Sequence, residues 1–106
     1  MYVVTVRFVL RPEHAGAFRQ ALARRTEALL ETEPGCLRLD CWEDPAAPHE
    51  VTLYGIFETE GDFEAILASD RSRHFQTEVA PWVLERHVET LPPVADRAAA
   101  TGLRSR

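Results

Sequence analysis

The stretch Tyr2-Val3-Val4-Thr5-Val6-Arg7-Phe8-Val9-Leu10 (YVVTVRFVL) decides the fold. It is rich in β-branched and aromatic residues and closes at Arg11-Pro12, so it reads as a strand. Alternation puts Tyr2, Val4, Val6, Phe8 and Leu10 on one side and Val3, Thr5 and Val9 on the other, interrupted only by Arg7. A sheet backed by helices on one side needs one apolar face, whereas a strand apolar on both faces is covered on both. With 106 residues the chain is one domain and too short to supply the second cover itself. A second copy across a two-fold axis, sheet against sheet, is the expected cover, the alternative being that β-propensity alone placed valines on a solvated face.

The next segments complete the pattern. From Glu13, Phe18, Ala21, Leu22, Leu29 and Leu30 recur at helical spacing, with Arg19, Arg24, Glu27 and Glu31 mostly on the other face, until Glu33-Pro34-Gly35 stops the helix. Leu37 to Glu43 (LRLDCWE) alternates as a second strand, with Leu37, Leu39 and Cys41 on one face and Arg38, Asp40 and Trp42 on the other. Asp44 to His49 is a turn with two prolines, and Glu50 to Glu58 (EVTLYGIFE) is a third strand with apolar residues on both faces. Thr59-Glu60-Gly61-Asp62 caps a helix carrying Phe63, Ile66 and Leu67. Ser69-Asp70 breaks it, and a stretch from about Ser72 buries Phe75, Val79, Trp82 and Val83, with Pro81 at its end or kinking it. Glu85 to Leu91 is the last strand before Pro92-Pro93. The order βαββαβ, with a faint Phe-x-x-apolar-Leu repeat at Phe18 and Phe63, predicts an α+β ferredoxin-like fold with a four-stranded antiparallel sheet. Residues 1–91 form the domain; 92–106 form a polar, alanine-rich tail expected to pack on the partner subunit.

Composition excludes several functions. Hydrophobic residues at 45% and charged residues at 27% are globular values, and a net charge of −5 with dispersed arginines disfavours nucleic acid. No apolar run approaches a membrane span, and no signal-peptide pattern opens the chain, so a cytoplasmic protein without membrane contact is expected. All twelve basic residues are arginine, which removes Schiff-base and lysine-base chemistry. Cys36 and Cys41 are about 16 Å apart at strand rise, too far for a disulfide. The four histidines fall in separate elements, so no metal site is expected, and no phosphate loop, nucleophile elbow, flavin or nicotinamide fingerprint is present.

The segments Glu33 to Asp40 (EPGCLRLD), Glu43-Asp44-Pro45, Val51-Thr52-Leu53-Tyr54 and Ser69 to Phe75 (SDRSRHF) together resemble the antibiotic biosynthesis monooxygenase (ABM) domain family. The family pattern has E-G-C before the second strand, a D-P turn after it, an L-Y third strand and S-P-H-F ahead of the last helix. The match covers about residues 2 to 91. The resemblance implies a dimeric α/β barrel built from ferredoxin-like halves, each with a pocket between sheet and helices. Family members include cofactor-free oxygenases of phenols and quinols, haem-degrading enzymes, isomerases of the autoinducer-processing type and proteins without known activity. The Asn, Trp and His of the haem-degrading relatives correspond here to Arg7, Ile66 and Gln76, which disfavours haem degradation. Arg73 stands where the family has proline before the His, and Gly55 where Glu often follows the strand Tyr.

His74 matches the family's S-P-H-F position, and an imidazole there would take a phenolic or enediol proton, or else would merely cap the helix. Tyr54 would orient a bound oxygen function, or sit in the core on a backbone carbonyl. Arg38, beside Asp40 and Trp42, would stabilise an oxyanion, or form an ion pair at the dimer interface; Arg7 has the same two readings. Phe57, Phe63, Phe75 and Trp82 are the expected lining of a pocket for a planar substrate, or plain core residues. His14 beside Pro12 and His49 beside Pro48 read as solvated turn residues, and His87 on the last strand has no assigned partner. The resulting expectation is a homodimeric monooxygenase needing no cofactor and no metal, acting on a small quinol, phenolic or polyketide-like substrate. The alternatives are an isomerase of a small oxygenated metabolite and a non-catalytic ligand-binding dimer.

Overall fold

In the computed structural model, which describes residues 1–91, the first strand β1 (Tyr2–Leu10) lies inside the sheet. It pairs antiparallel with β3 (Ala47–Phe57) on one side and with β4 (Val83–Leu91) on the other, and β2 (Cys36–Asp44) pairs antiparallel with β3. The order β2-β3-β1-β4 is that of a ferredoxin-like βαββαβ unit. The helices are α1 (Ala15–Thr32), α2 (Glu60–Leu67) and α3 (Asp70–Val79), with short 3-10 turns at Pro12–His14 and Ala80–Trp82.

Register assigns every strand residue to a face. Val4, Phe8, Val51 and Phe57 face the helices and are buried, and Leu10 and Phe18 are 0% exposed. One buried group joins Phe8, Leu10, Val51 and Val79 to Phe18, Ala21 and Leu22 of α1; the other joins Val4, Cys36 and Phe57 to Leu29 and Ile66. Phe8 and Phe18 meet at 4.9 Å between ring centroids, tilted as aromatic quadrupoles prefer. Thr59 caps α2 by accepting from the Asp62 amide at 3.1 Å, and Ser69 caps α3 by accepting from the Ser72 amide at 3.2 Å. The Ser69 cap lies in the two-residue junction between α2 and α3.

The structure differs from the sequence reading in four places. Leu37 is half-exposed, because the register shifts between Cys36 and Arg38 and leaves it as the extra residue of a bulge; Cys36 takes its place toward the core. Leu30 lies on the solvent side of α1, about 100° around the helix from buried Leu29. The turn expected over Asp44–His49 shrinks to Pro45-Ala46, because the Asp44 carboxylate accepts from the Ala46 amide at 2.9 Å and β3 already begins at Ala47. Finally, α3 starts at Asp70 and Pro81 falls in the 3-10 turn after it, with β4 beginning at Val83. The expected docking of the 92–106 tail lies outside the described residues. No helix among the described residues is long and apolar enough to cross a membrane.

Candidate functional site

Between the helix-side face of the sheet and the three helices lies a cavity of about 360 Å³. Val6, Phe8, Leu39, Leu53 and Phe57 form its floor, and Leu22, Leu29, Phe63, Ile66 and Phe75 its roof. Leu67 and Val88, both half-exposed, lie at its rim. The space depends on Gly55: a Cβ there would come within 2.9 Å of the Phe57 ring and 3.1 Å of Leu39. Phe57 and Phe63 stand 5.0 Å apart and tilted, giving the cavity an aromatic wall. Of the expected pocket residues, Phe57, Phe63 and Phe75 line the cavity. Trp82 does not, and stacks instead on His14 at 6.1 Å.

The polar groups that reach this apolar space are Arg25, Thr26, Ser72, Gln76 and Arg86. Ser72, 5% exposed, accepts from the Arg25 guanidinium at 2.6 Å and donates to the Ile66 carbonyl at 2.7 Å. That carbonyl also accepts from the Ser69 hydroxyl and amide, so the α2–α3 corner is tied together and Arg25 is tied to it. Burial, with repulsion from Arg71, lowers the Arg25 pKa from its ordinary value; an anion beside it would relieve both effects. Arg25 and Ser72 were missed by the sequence reading, although a signal exists. Arg25 falls on the apolar stripe of Phe18, Leu22 and Leu29, and Ser72 on that of Phe75 and Val79.

The expected catalytic residues are not brought together within one protomer. His74 is exposed and lies in a separate cleft between α1 and α3. Tyr54 pairs with Thr5 and Asp40, and Arg38 with Ile56, all on the sheet face away from the helices. There Arg38 donates to Asp40 at 2.6 Å as a largely exposed ion pair, neither buried nor beside the cavity. Arg7 is paired with Glu50 at 3.3 Å on the same face, and His87 with Glu85 at 2.8 Å. Both cysteines are free thiols. Among the described residues no group of three His, Cys, Asp or Glu side chains is placed to hold a metal.

The sheet order and the three helices define a ferredoxin-like α+β domain with an apolar cavity beneath its helices. The family model for antibiotic biosynthesis monooxygenase matches residues 1–78, and the chain belongs to that family. Among solved structures, a candidate antibiotic biosynthesis monooxygenase from Nitrosomonas europaea is 25% identical with a TM-score of 0.82, over 89% of this chain and 99% of that one. A Shewanella oneidensis protein is 27% identical with a TM-score of 0.77, over 85% and 87% of the two chains. A further candidate from Deinococcus radiodurans shares the fold at 19% identity and a TM-score of 0.82, over 92% and 96%. No curated protein matches in sequence.

Proposed function

We propose that the protein is a cytoplasmic homodimeric monooxygenase that needs no cofactor and oxidises a small quinol, phenolic or polyketide-like substrate in the cavity beneath its helices. The observation that carries this reading is the aromatic-walled cavity into which two guanidinium groups, Arg25 and Arg86, project. A planar apolar ring fits such walls, and the guanidinium groups favour its phenolate or enolate over the neutral form. The substrate anion supplies the electrons. In a substrate with an activated methylene, such as an anthrone, that carbon as the carbanion adds oxygen to form a C–O bond, the peroxide takes up a proton, and loss of water leaves a carbonyl. In a quinol the ring carbon ortho to the phenolate adds oxygen in the same way, and loss of water leaves the hydroxyquinone. One CH2 and one O2 become one C=O and one H2O in the first case, and no external reductant enters in either.

Among the described residues, the cavity lining holds no imidazole, carboxylate, thiol or phenol. This favours a substrate acidic enough to lose its own proton, and it counts against the isomerase alternative, which needs a group that removes and returns a proton. The dimer is supported by the sheet face away from the helices, where Val3, Val9, Tyr54 and Ile56 are only half-buried and Trp42 is 62% exposed. Oxygen uptake with a panel of anthrones and hydroquinones tests the proposal, with labelled O2 to follow the inserted atom. Uptake accompanied by one labelled oxygen in the product is expected. Turnover that persists without oxygen would overturn it, and binding without turnover would assign the binding role.

A further inference from the structure

Outside the cavity, the cleft between α1 and α3 is lined by Ala21, Arg24, Arg25, Arg71, His74 and Phe75, with the carboxylates Asp70 and Glu78. Arg25 and Phe75 line both spaces, so together they form the partition between the apolar cavity and a charged cleft. A guanidinium carries five N–H donors. At Arg25 one side-chain hydrogen bond is formed among the described residues, to Ser72, which leaves donors unspent on a half-buried cation. Both carboxylates of the cleft have arginine partners: Glu78 pairs with Arg24 at 3.3 Å and Asp70 with Arg73 at 2.6 Å. Arg71 makes no ion pair or side-chain hydrogen bond among the described residues and stands close enough to Arg25 to repel it. Arg25 in the partition and Arg71 in the cleft thus bear like charge side by side, offset only in part by the pull of Glu33 on Arg25, in a chain whose net charge is −5.

We propose that the α1–α3 cleft is the outer half of a two-part ligand site, in which Arg25 and Arg71 hold a carboxylate carried by the apolar molecule in the cavity. This rests on the cavity being the ligand site. It narrows the substrate class from any quinol or phenol to aromatic or polyketide-like acids. Arg25 meets the carboxylate at the partition with its free donors, and Arg71 adds charge from the cleft side.

The test uses two probes that differ by one anionic group: 8-anilinonaphthalene-1-sulfonate, and N-phenyl-1-naphthylamine, which is the same body without the sulfonate. Fluorescence titration of the full-length protein is expected to show the anionic probe binding about tenfold more tightly at low salt, an advantage that shrinks as salt rises. Arg71→Gln, an exposed position that leaves the core intact, is expected to remove most of that advantage while the neutral probe binds as before; Arg25→Gln removes the remainder. Equal affinity of the two probes, or equal weakening of both by Arg71→Gln, would overturn the cleft proposal while leaving the cavity reading intact. Failure of the neutral probe to bind at all would overturn the cavity reading, and the cleft proposal with it.

Discussion

Replacing Ser72 with alanine isolates the junction on which the candidate site is built. The hydroxyl takes part in two hydrogen bonds, accepting from Arg25 at 2.6 Å and donating to the Ile66 carbonyl at 2.7 Å. A neutral buried hydrogen bond is worth about 1 kcal/mol net, and one to a charged group about 1.5–3 kcal/mol, the lower end applying because Arg25 is half-exposed and water replaces its lost partner. The Ile66 carbonyl is not orphaned, since the Ser69 hydroxyl still donates to it at 2.7 Å, so no desolvation penalty is added. The expected loss is therefore about 2 kcal/mol, or roughly 8–16 °C in Tm for a domain of this size. Urea denaturation with an unchanged m-value measures it, and a double-mutant cycle with Arg25→Gln should recover a coupling of about 1 kcal/mol. A loss below about 0.5 kcal/mol would mean that the hydroxyl does not join the helices. A loss above about 4 kcal/mol would mean that Ser69 does not cover the carbonyl, and the account of the α2–α3 corner would be wrong.

Gly55→Ala should drive the Phe57 ring into the cavity, because the new Cβ would meet it at 2.9 Å; a fall in neutral-probe affinity of about tenfold or more, with the fold retained by circular dichroism, checks this. Ile56→Arg, on the half-buried sheet face away from the helices, should convert a dimer to a monomer in sedimentation equilibrium, and an unchanged mass would remove the case for sheet-to-sheet pairing. Burial, followed by repulsion from Glu33, raises the Cys36 thiol above its ordinary 9.0. The folded state therefore holds that proton more tightly than the unfolded chain does, and its contribution to stability is full below pH 9.0 and is lost as the pH rises through the higher folded value. Cys36→Ala should flatten the alkaline fall in a series of urea midpoints.

Much of the fold is legible in local pattern. β1 declares its helix-facing side through the Val4-Val6-Phe8 series, and Thr59 and Ser69 announce their helices because a cap needs only the side chain and the next turn. Alternation alone misplaces Leu37, for a reason it cannot contain. A bulge adds one residue to one strand, and only pairing with β3 shows where it falls. The aromatic wall was half legible in the same way: Phe57, Phe63 and Phe75 are apolar-face residues by periodicity, but their joint exposure to a cavity depends on the space beside Gly55.

By itself, the sequence determined the element order, the core-facing residues of β1, β3 and α1, the family and the absence of any lysine base. These are properties of neighbours along the chain, of side-chain period and of composition. Tertiary structure alone decided which of the polar residues meet. His74, Tyr54 and Arg38, each attractive by motif, fall on two sides of the sheet, because strand parity and helix rotation send neighbouring side chains in opposite directions. Arg25 and Ser72, 47 residues apart, meet at 2.6 Å because α1 and α3 pack side by side over the same sheet, and packing of elements distant in sequence is what a linear pattern does not record.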